Sequence, residues 1–304
     1  MYILNNLEQW DNTILHFHYG TDAGMYHNIL KKAQQPKLVS FYGWDYSMFP
    51  NKFFGLGKKY LQSRVFFHCD KIIAMTKQMK EALVDLGCPE EKIIVHYYGL
   101  DTRNFIINRS SDTNSKIRLL TTSTLEPKKG HLFLLKAIKD CLDRGFSNFS
   151  LHILDTGRCR KQVINEIQKL NITSKIVFHP QYVYGSAEHH EMLKSADIFI
   201  QPSITDKQGN KEGVPGTMVE AMAAGLPVIA TRHAGIPEII ENEKNGLLVD
   251  ENNVEDLAKK ILLLANNSEL RQQLGTQAQK HATKNLDIRI KQAELEKIYD
   301  NLLI

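Results

Sequence analysis

Residues 198–231 read as strand, loop, helix and strand, and no other stretch restricts the chain as much. Ile198, Phe199 and Ile200 form a short apolar run that stops at Pro202, and residues 203–216 are polar and rich in glycine and proline. Thr217 to Ala224 are mostly good helix formers, closed by Gly225 and Pro227 in the way helix C-termini commonly are. Val228, Ile229 and Ala230 then form the next buried strand. A loop that follows a strand and enters a helix gathers unpaired N–H groups and the positive end of the helix dipole, so it is a ready anion site. Gly213 and Gly216 let the backbone approach a ligand, and Pro215 stiffens the turn. Glu212 in the loop and Glu220 in the helix add two carboxylates that can accept hydrogen bonds from hydroxyls. A diphosphate flanked by two sets of hydroxyls, as in a nucleotide-sugar, fits this arrangement.

The rest of the chain repeats the alternation of strand and helix. Strands are expected at 13–19, 38–42, 71–75, 92–97, 117–122, 151–154 and 175–178, with helices at 25–34, 76–86 (capped by Thr76), 131–143, 254–265, 268–284 and 287–303. A turn is expected at Gly20 to Gly24. Such alternation argues for parallel, doubly wound α/β sheets. The polar run 106–116 is the candidate linker, dividing the chain near 111/112.

Composition excludes several classes. No apolar run approaches the roughly 20 residues that span a bilayer, and the first residues lack a basic segment followed by an apolar core, so no signal peptide is expected. Cys69, Cys88, Cys141 and Cys159 form no C-x-x-C pair and read as reduced thiols of a cytoplasmic protein. A net charge of +4 is too mild to argue for nucleic acid. His16 and His18 share one strand face, but no acidic or cysteine partner stands at ligand spacing, so a structural or substrate-side role is expected rather than a metal. His189 and His190 on a polar helix start read as surface residues. Residues 52–60 combine Phe53, Phe54 and Tyr60 with Lys52, Lys58 and Lys59. This suits either a patch at a membrane interface or a helix start with two buried phenylalanines.

The stretch around Glu212 and Glu220 resembles the E-x7-E signature of the family-4 retaining glycosyltransferases, which have the GT-B fold. Ser195-Ala196-Asp197-Ile198-Phe199-Ile200-Gln201-Pro202-Ser203 before it is similar to the same family. So are Thr231-Arg232-His233-Ala234-Gly235-Ile236-Pro237-Glu238 and Asn245-Gly246-Leu247-Leu248-Val249 after it. The loop before Glu212 resembles most the exopolysaccharide subgroup of colanic acid and amylovoran transferases. His18-Tyr19-Gly20 and Phe41-Tyr42-Gly43-Trp44-Asp45 resemble the family's acceptor-side segments, with Tyr42 where many relatives carry His.

The resemblance implies two Rossmann-like domains facing a cleft. They are an acceptor-side domain at 1–111, expected to be incomplete because the chain starts partway into it, and a donor-binding domain at 112–285. A helix at 286–304 would cross back to the first. It implies sugar transfer with retention from a UDP- or GDP-linked donor, without metal or other cofactor, to a saccharide or lipid-linked acceptor. Glu212 would meet the sugar hydroxyls and Lys129 the leaving diphosphate as catalytic residues. Glu220 would hold the ribose, with Gly213, Val214, Gly216, Thr217, Thr124 and Ser203 completing the donor site. Thr124 stands where the family carries an Arg, and Arg158 and Arg160 are read as surface residues, with replacement of its charge the alternative. His18, Gly43 and Asp45 would face the acceptor. Peripheral membrane contact and self-association of an incomplete sheet are further expectations. The alternatives are a donor-binding remnant or partner subunit with weak catalysis, and a nucleotide-sugar epimerase of the same fold.

Overall fold

The computed structural model describes residues 12–107 and 116–304. Most of the expected linker, the 111/112 boundary and the first eleven residues lie outside them. The chain forms two compact units. Unit 1 takes the described residues through Gly99, then Lys207–Val214 and Arg289–Ile304, and unit 2 takes those of Leu100–Asp206 and Pro215–Ile288.

In unit 1 the strands β1 (Leu15–His18), β2 (Lys37–Ser40), β3 (Lys71–Ala74) and β4 (Ile93–Val95) form a sheet in that order, every pair parallel. The connections carry α1 (Gly20–Met25), α2 (His27–Lys32), α3 (Trp44–Ser47), α4 (Leu56–Leu61) and α5 (Lys77–Asp85). Thr76 caps α5 by accepting the Met79 N–H at 3.0 Å. The turn expected at 20–24 is instead the helix α1. Its glycines serve close packing rather than chain reversal. A Cβ on Gly20 would come within 2.2 Å of the Phe41 ring, and one on Gly24 within 2.3 Å of Tyr60.

Among the described residues, unit 2 has six parallel strands: β5 (Ile117–Leu120), β6 (Phe149–Leu154), β7 (Ile176–His179), β8 (Ile198–Gln201), β9 (Val228–Thr231) and β10 (Leu247–Val249). Their order in the sheet is β10-β9-β8-β5-β6-β7. This is the dinucleotide-fold order, whose winding reverses between β5 and β8. The helices are α6 (His131–Asp143), α7 (Arg160–Lys169), α8 (Ala187–Ser195), α9 (Gly216–Ala223), α10 (Ile236–Ile239), α11 (Val254–Ala265) and α12 (Ser268–Asn285). The strands β8, β9 and β10 are buried at every position, as strands covered on both faces must be, which is why they read as unbroken apolar runs.

The division differs from the expected boundaries at three places, residues 100–107, 207–214 and 286–288. Residues 207–214 join unit 1 because the Lys211 N–H donates to Ser47 Oγ at 3.3 Å and Tyr46 OH donates to the Glu212 carbonyl at 3.3 Å. Residues 100–107 join unit 2. There Leu100 pairs with Leu286 and Ile288, and the Thr102 side chain donates to the buried Asp287 carboxylate at 2.5 Å. The last helix, α13 (Ile288–Leu303), lies in unit 1 apart from Ile288. Tyr299 OH bonds His16 Nδ1 at 2.7 Å, and the Lys291 carbonyl bonds His96 Nε2 at 2.9 Å.

Candidate functional site

In open α/β sheets ligands bind beyond the carboxyl ends of the strands, where the winding reverses. In unit 2 that point lies between β5 and β8, and three of the expected donor-site elements border it. The turn Pro127–Lys129 after β5 abuts the exit of β8. The Ile204 N–H donates to the Lys128 carbonyl at 2.9 Å, and a Cβ on Gly130 would stand 1.8 Å from the Pro202 oxygen. Lys129 therefore sits on the corner beside the start of the 203–206 segment. At φ +70° Gly130 occupies the left-handed region, so this position suits glycine on two counts. The first turn of α9 is tied down from the same side, since Thr217 Oγ1 donates to Gln201 Oε1 at 3.2 Å and Gln201 Nε2 donates to Ser203 Oγ at 2.9 Å. Ser203 is fully buried, so its hydroxyl organises the loop from within.

Glu220, within α9, is 4% exposed. Its Oε2 lies 3.2 Å from Nε2 of His189, which has no exposed surface at all. The reading of His189 as a surface residue is thus corrected. It lies four residues before Leu193, and these two are the buried positions of α8, so the helical period carried a signal that the neighbouring charges obscured. Tyr182 stacks on His189 with ring centroids 4.0 Å apart. Burial, with the Glu220 charge adding to it, pushes the Tyr182 hydroxyl up to about 12, so it stays protonated. Tyr182 and Gln201 are two further residues that shape this corner and that no sequence pattern singled out.

Thr124 is part-buried, and among the described residues the two candidate arginines are both engaged. Arg158 donates through Nε to Glu126 Oε2 at 2.6 Å, and Arg160 through Nε to Asp155 Oδ1 at 2.7 Å. Both candidate substitutes for the absent positive charge are engaged in exposed ion pairs.

In unit 1 the expected acceptor-side residues cluster at the carboxyl ends of β1 and β2. Asp45 has no exposed surface, and its carboxylate accepts the N–H groups of Gly20 (3.0 Å), Tyr42 (3.1 Å) and Gly43 (3.0 Å). Burial pushes this carboxyl up against the pull of those backbone bonds, and burial prevails. Asp45 thereby fastens the loop after β1 to the loop after β2. Exposed His18 bonds Tyr42 OH through Nδ1 at 2.5 Å, and Tyr19, at φ +65°, lies 4.6 Å from the Tyr42 ring. The 207–214 segment packs on this corner. A Cβ on Gly213 would lie 2.6 Å from the Tyr42 oxygen, and one on Gly43 3.5 Å from the Lys211 oxygen. Glu212 and Val214 in that segment are buried, while Gly216 and Thr217 at the head of α9 in unit 2 are part-exposed. Of the two readings for 52–60, the buried one is excluded, because Phe53 is 70% exposed and Phe54 fully so.

Among the described residues no group of three or more His, Cys, Asp or Glu could hold a metal, and no helix is long and apolar enough to cross a membrane. All four cysteines are free and buried.

Two parallel-sheet units, one with a nucleotide-type switch point bordered by a glycine turn and a buried glutamate, define a GT-B fold. The sequence matches the family described as glycosyl transferases group 1 over residues 103–281 and glycosyltransferase family 4 over residues 1–104. The chain belongs to the glycosyl transferases group 1 family. It is 31% identical over 201 residues to the putative colanic acid biosynthesis glycosyltransferase WcaL of Escherichia coli, covering 65% of this chain and 48% of that protein. It is 30% identical over 258 residues to the amylovoran biosynthesis glycosyltransferase AmsK of Erwinia amylovora, covering 84% and 61%. The chain thus spans about half the length of the curated relatives it matches first. Among solved structures, Anabaena HepE in complex with UDP superposes with a TM-score of 0.83 at 17% identity, covering 99% of this chain and 81% of that one. A glycosyltransferase from Rickettsia africae gives 0.81 at 24% identity, covering 99% and 80%.

Proposed function

We propose that the chain binds a nucleotide-sugar and transfers its sugar, with retention and without a metal, to a saccharide or lipid-linked acceptor in exopolysaccharide synthesis. The observation that carries this reading is the placement of the α9 N-terminus, the Lys129 corner and the buried Glu220 around the switch point of unit 2. The α9 N–H groups suit a diphosphate, Glu220 suits the ribose hydroxyls, and Lys129 balances charge on the leaving diphosphate, the kind of fixed electrostatic help that is often the largest catalytic contribution. Glu212 is assigned the hydroxyls of the transferred sugar, and His18, Gly43 and Asp45 the acceptor side. The names of the relatives support polysaccharide synthesis, and the Anabaena structures with UDP and with UDP-glucose support the donor class. A thermal-shift panel of UDP, GDP and their sugars is the test. Stabilisation by at least one is expected, and none across the panel contradicts the reading.

The exposed Phe53 and Phe54, held out by three successive left-handed residues through Gly55 and accompanied by Lys52, Lys58 and Lys59, support contact with an anionic lipid surface. Co-sedimentation with phosphatidylglycerol vesicles should fall when Phe53 and Phe54 are both changed to serine. Equal pelleting of the two proteins contradicts this contact.

A further inference from the structure

We infer that His189 is the positioning residue of the donor corner: it holds one oxygen of Glu220 so that the other is presented to the ribose diol. The inference rests on the donor-binding reading above. The Gly185 N–H donates to His189 Nδ1 at 3.2 Å, so Nδ1 carries a lone pair and the ring proton sits on Nε2. That nitrogen faces Glu220 Oε2 at 3.2 Å. The pair is not aligned as a full hydrogen bond, and neither buried atom has any other partner among the described residues. A carboxylate oxygen closed off from water without a donor is costly, and the Nε2–H is the donor at hand.

The ring has little freedom to turn away. Tyr182 lies flat on it, with an interplanar angle of 16°, and Phe105 meets it edge-on at 5.2 Å. Tyr182 is itself tethered, its hydroxyl reaching the Thr122 carbonyl at 3.5 Å. A neutral imidazole also leaves the carboxylate its charge. A lysine or arginine in this place would bring a full positive charge against the carboxylate, whereas the imidazole Nε2–H offers a donor without one. The Glu220 side chain makes no further hydrogen bond or ion pair among the described residues, so its second oxygen is left for the ligand. Fixing the carboxylate plane before binding removes an ordering cost that the ligand would otherwise bear.

The experiment compares UDP and GDP with their 2′,3′-dideoxy counterparts by calorimetry, on the unaltered chain, His189→Leu and His189→Gln. The unaltered chain should prefer the ribose form of the bound nucleotide by about tenfold or more, as for hydrogen bonds to a charged group. In His189→Leu that preference should collapse toward unity with the dideoxy affinity retained, and His189→Gln, which restores an N–H donor, should recover it. A structural role alone would weaken both nucleotides equally and leave the ratio intact, and that result overturns the inference. Failure of the unaltered chain to bind any of the four removes the donor-binding reading and this inference together. Binding with an unchanged ratio in His189→Leu removes this inference alone.

Discussion

At the scale of single residues, the corner of unit 2 lacks a positive charge that the family resemblance leads one to expect. Thr124 occupies that position, and Arg158 and Arg160 are paired to Glu126 and Asp155. Thr124→Arg should therefore tighten binding of a nucleoside diphosphate about tenfold at low salt, with the gain shrinking as salt rises. Titrations at 20 mM and 300 mM added salt (about 20 and about 6 Å of screening length) would check it. No gain at low salt contradicts the vacancy of this charge. Residues whose role follows from local chemistry were legible in advance. Thr76 was read as a cap from its place before an apolar period, and it caps α5. Asp45 was legible only as a member of a motif, because no local pattern shows that its carboxylate gathers three backbone N–H groups from two separate loops. His189 reads as a surface residue because the helix start around it is polar, and only its four-residue spacing to Leu193 marks the inner face of α8.

At the scale of elements, the strands and long helices could be read because each carries a period. The strands β5 to β9 are short apolar runs bounded by turn residues, and α6 and α11 fall where their apolar spacing begins and ends, whereas β10 is not among the expected strands. The exceptions lie where a glycine serves packing. Gly20 and Gly24 looked like a turn, but they lie within α1, where side chains of Phe41 and Tyr60 take the space a Cβ would fill. Nothing local distinguishes the two uses. The Lys129 corner depends on the same kind of approach, so Gly130→Ala is the sharpest test of how the loop after β5 meets the exit of β8. An added methyl would meet the Pro202 oxygen while the backbone keeps φ +70°. The change should cost about 2 kcal/mol or more of stability and weaken nucleotide binding further. Chemical denaturation measures the first, and an unaltered midpoint contradicts the packing described.

At the scale of the whole molecule, the sequence showed two parallel-sheet α/β units but not where the chain passes between them. Residues 207–214 belong to unit 1 through bonds to Ser47 and Tyr46, contacts between residues more than 160 positions apart that no window of sequence contains. One buried and two half-buried histidines should make stability depend on acid. Burial holds His131, His152 and His16 down to about 4, with neighbouring charges of Lys129, His179 and His18 respectively adding to it. The unfolded chain takes up these protons near 6.5 and the folded chain only near 4, so stability is full above 6.5 and falls as pH descends between the two. Melting temperature should drop steadily from pH 7 to pH 5 (about the range in which histidines but few carboxylates titrate), and a flat profile there contradicts the burial of neutral histidines. On the function proposed above, unit 2 holds a nucleotide through Glu220 at its switch point. Titration calorimetry with UDP and GDP on the unaltered chain and on Glu220→Gln tests it most directly. Binding of at least one nucleotide by the unaltered chain and a loss of about 1.5–3 kcal/mol in the variant are expected, whereas equal affinity in the two proteins would rule this role of Glu220 out.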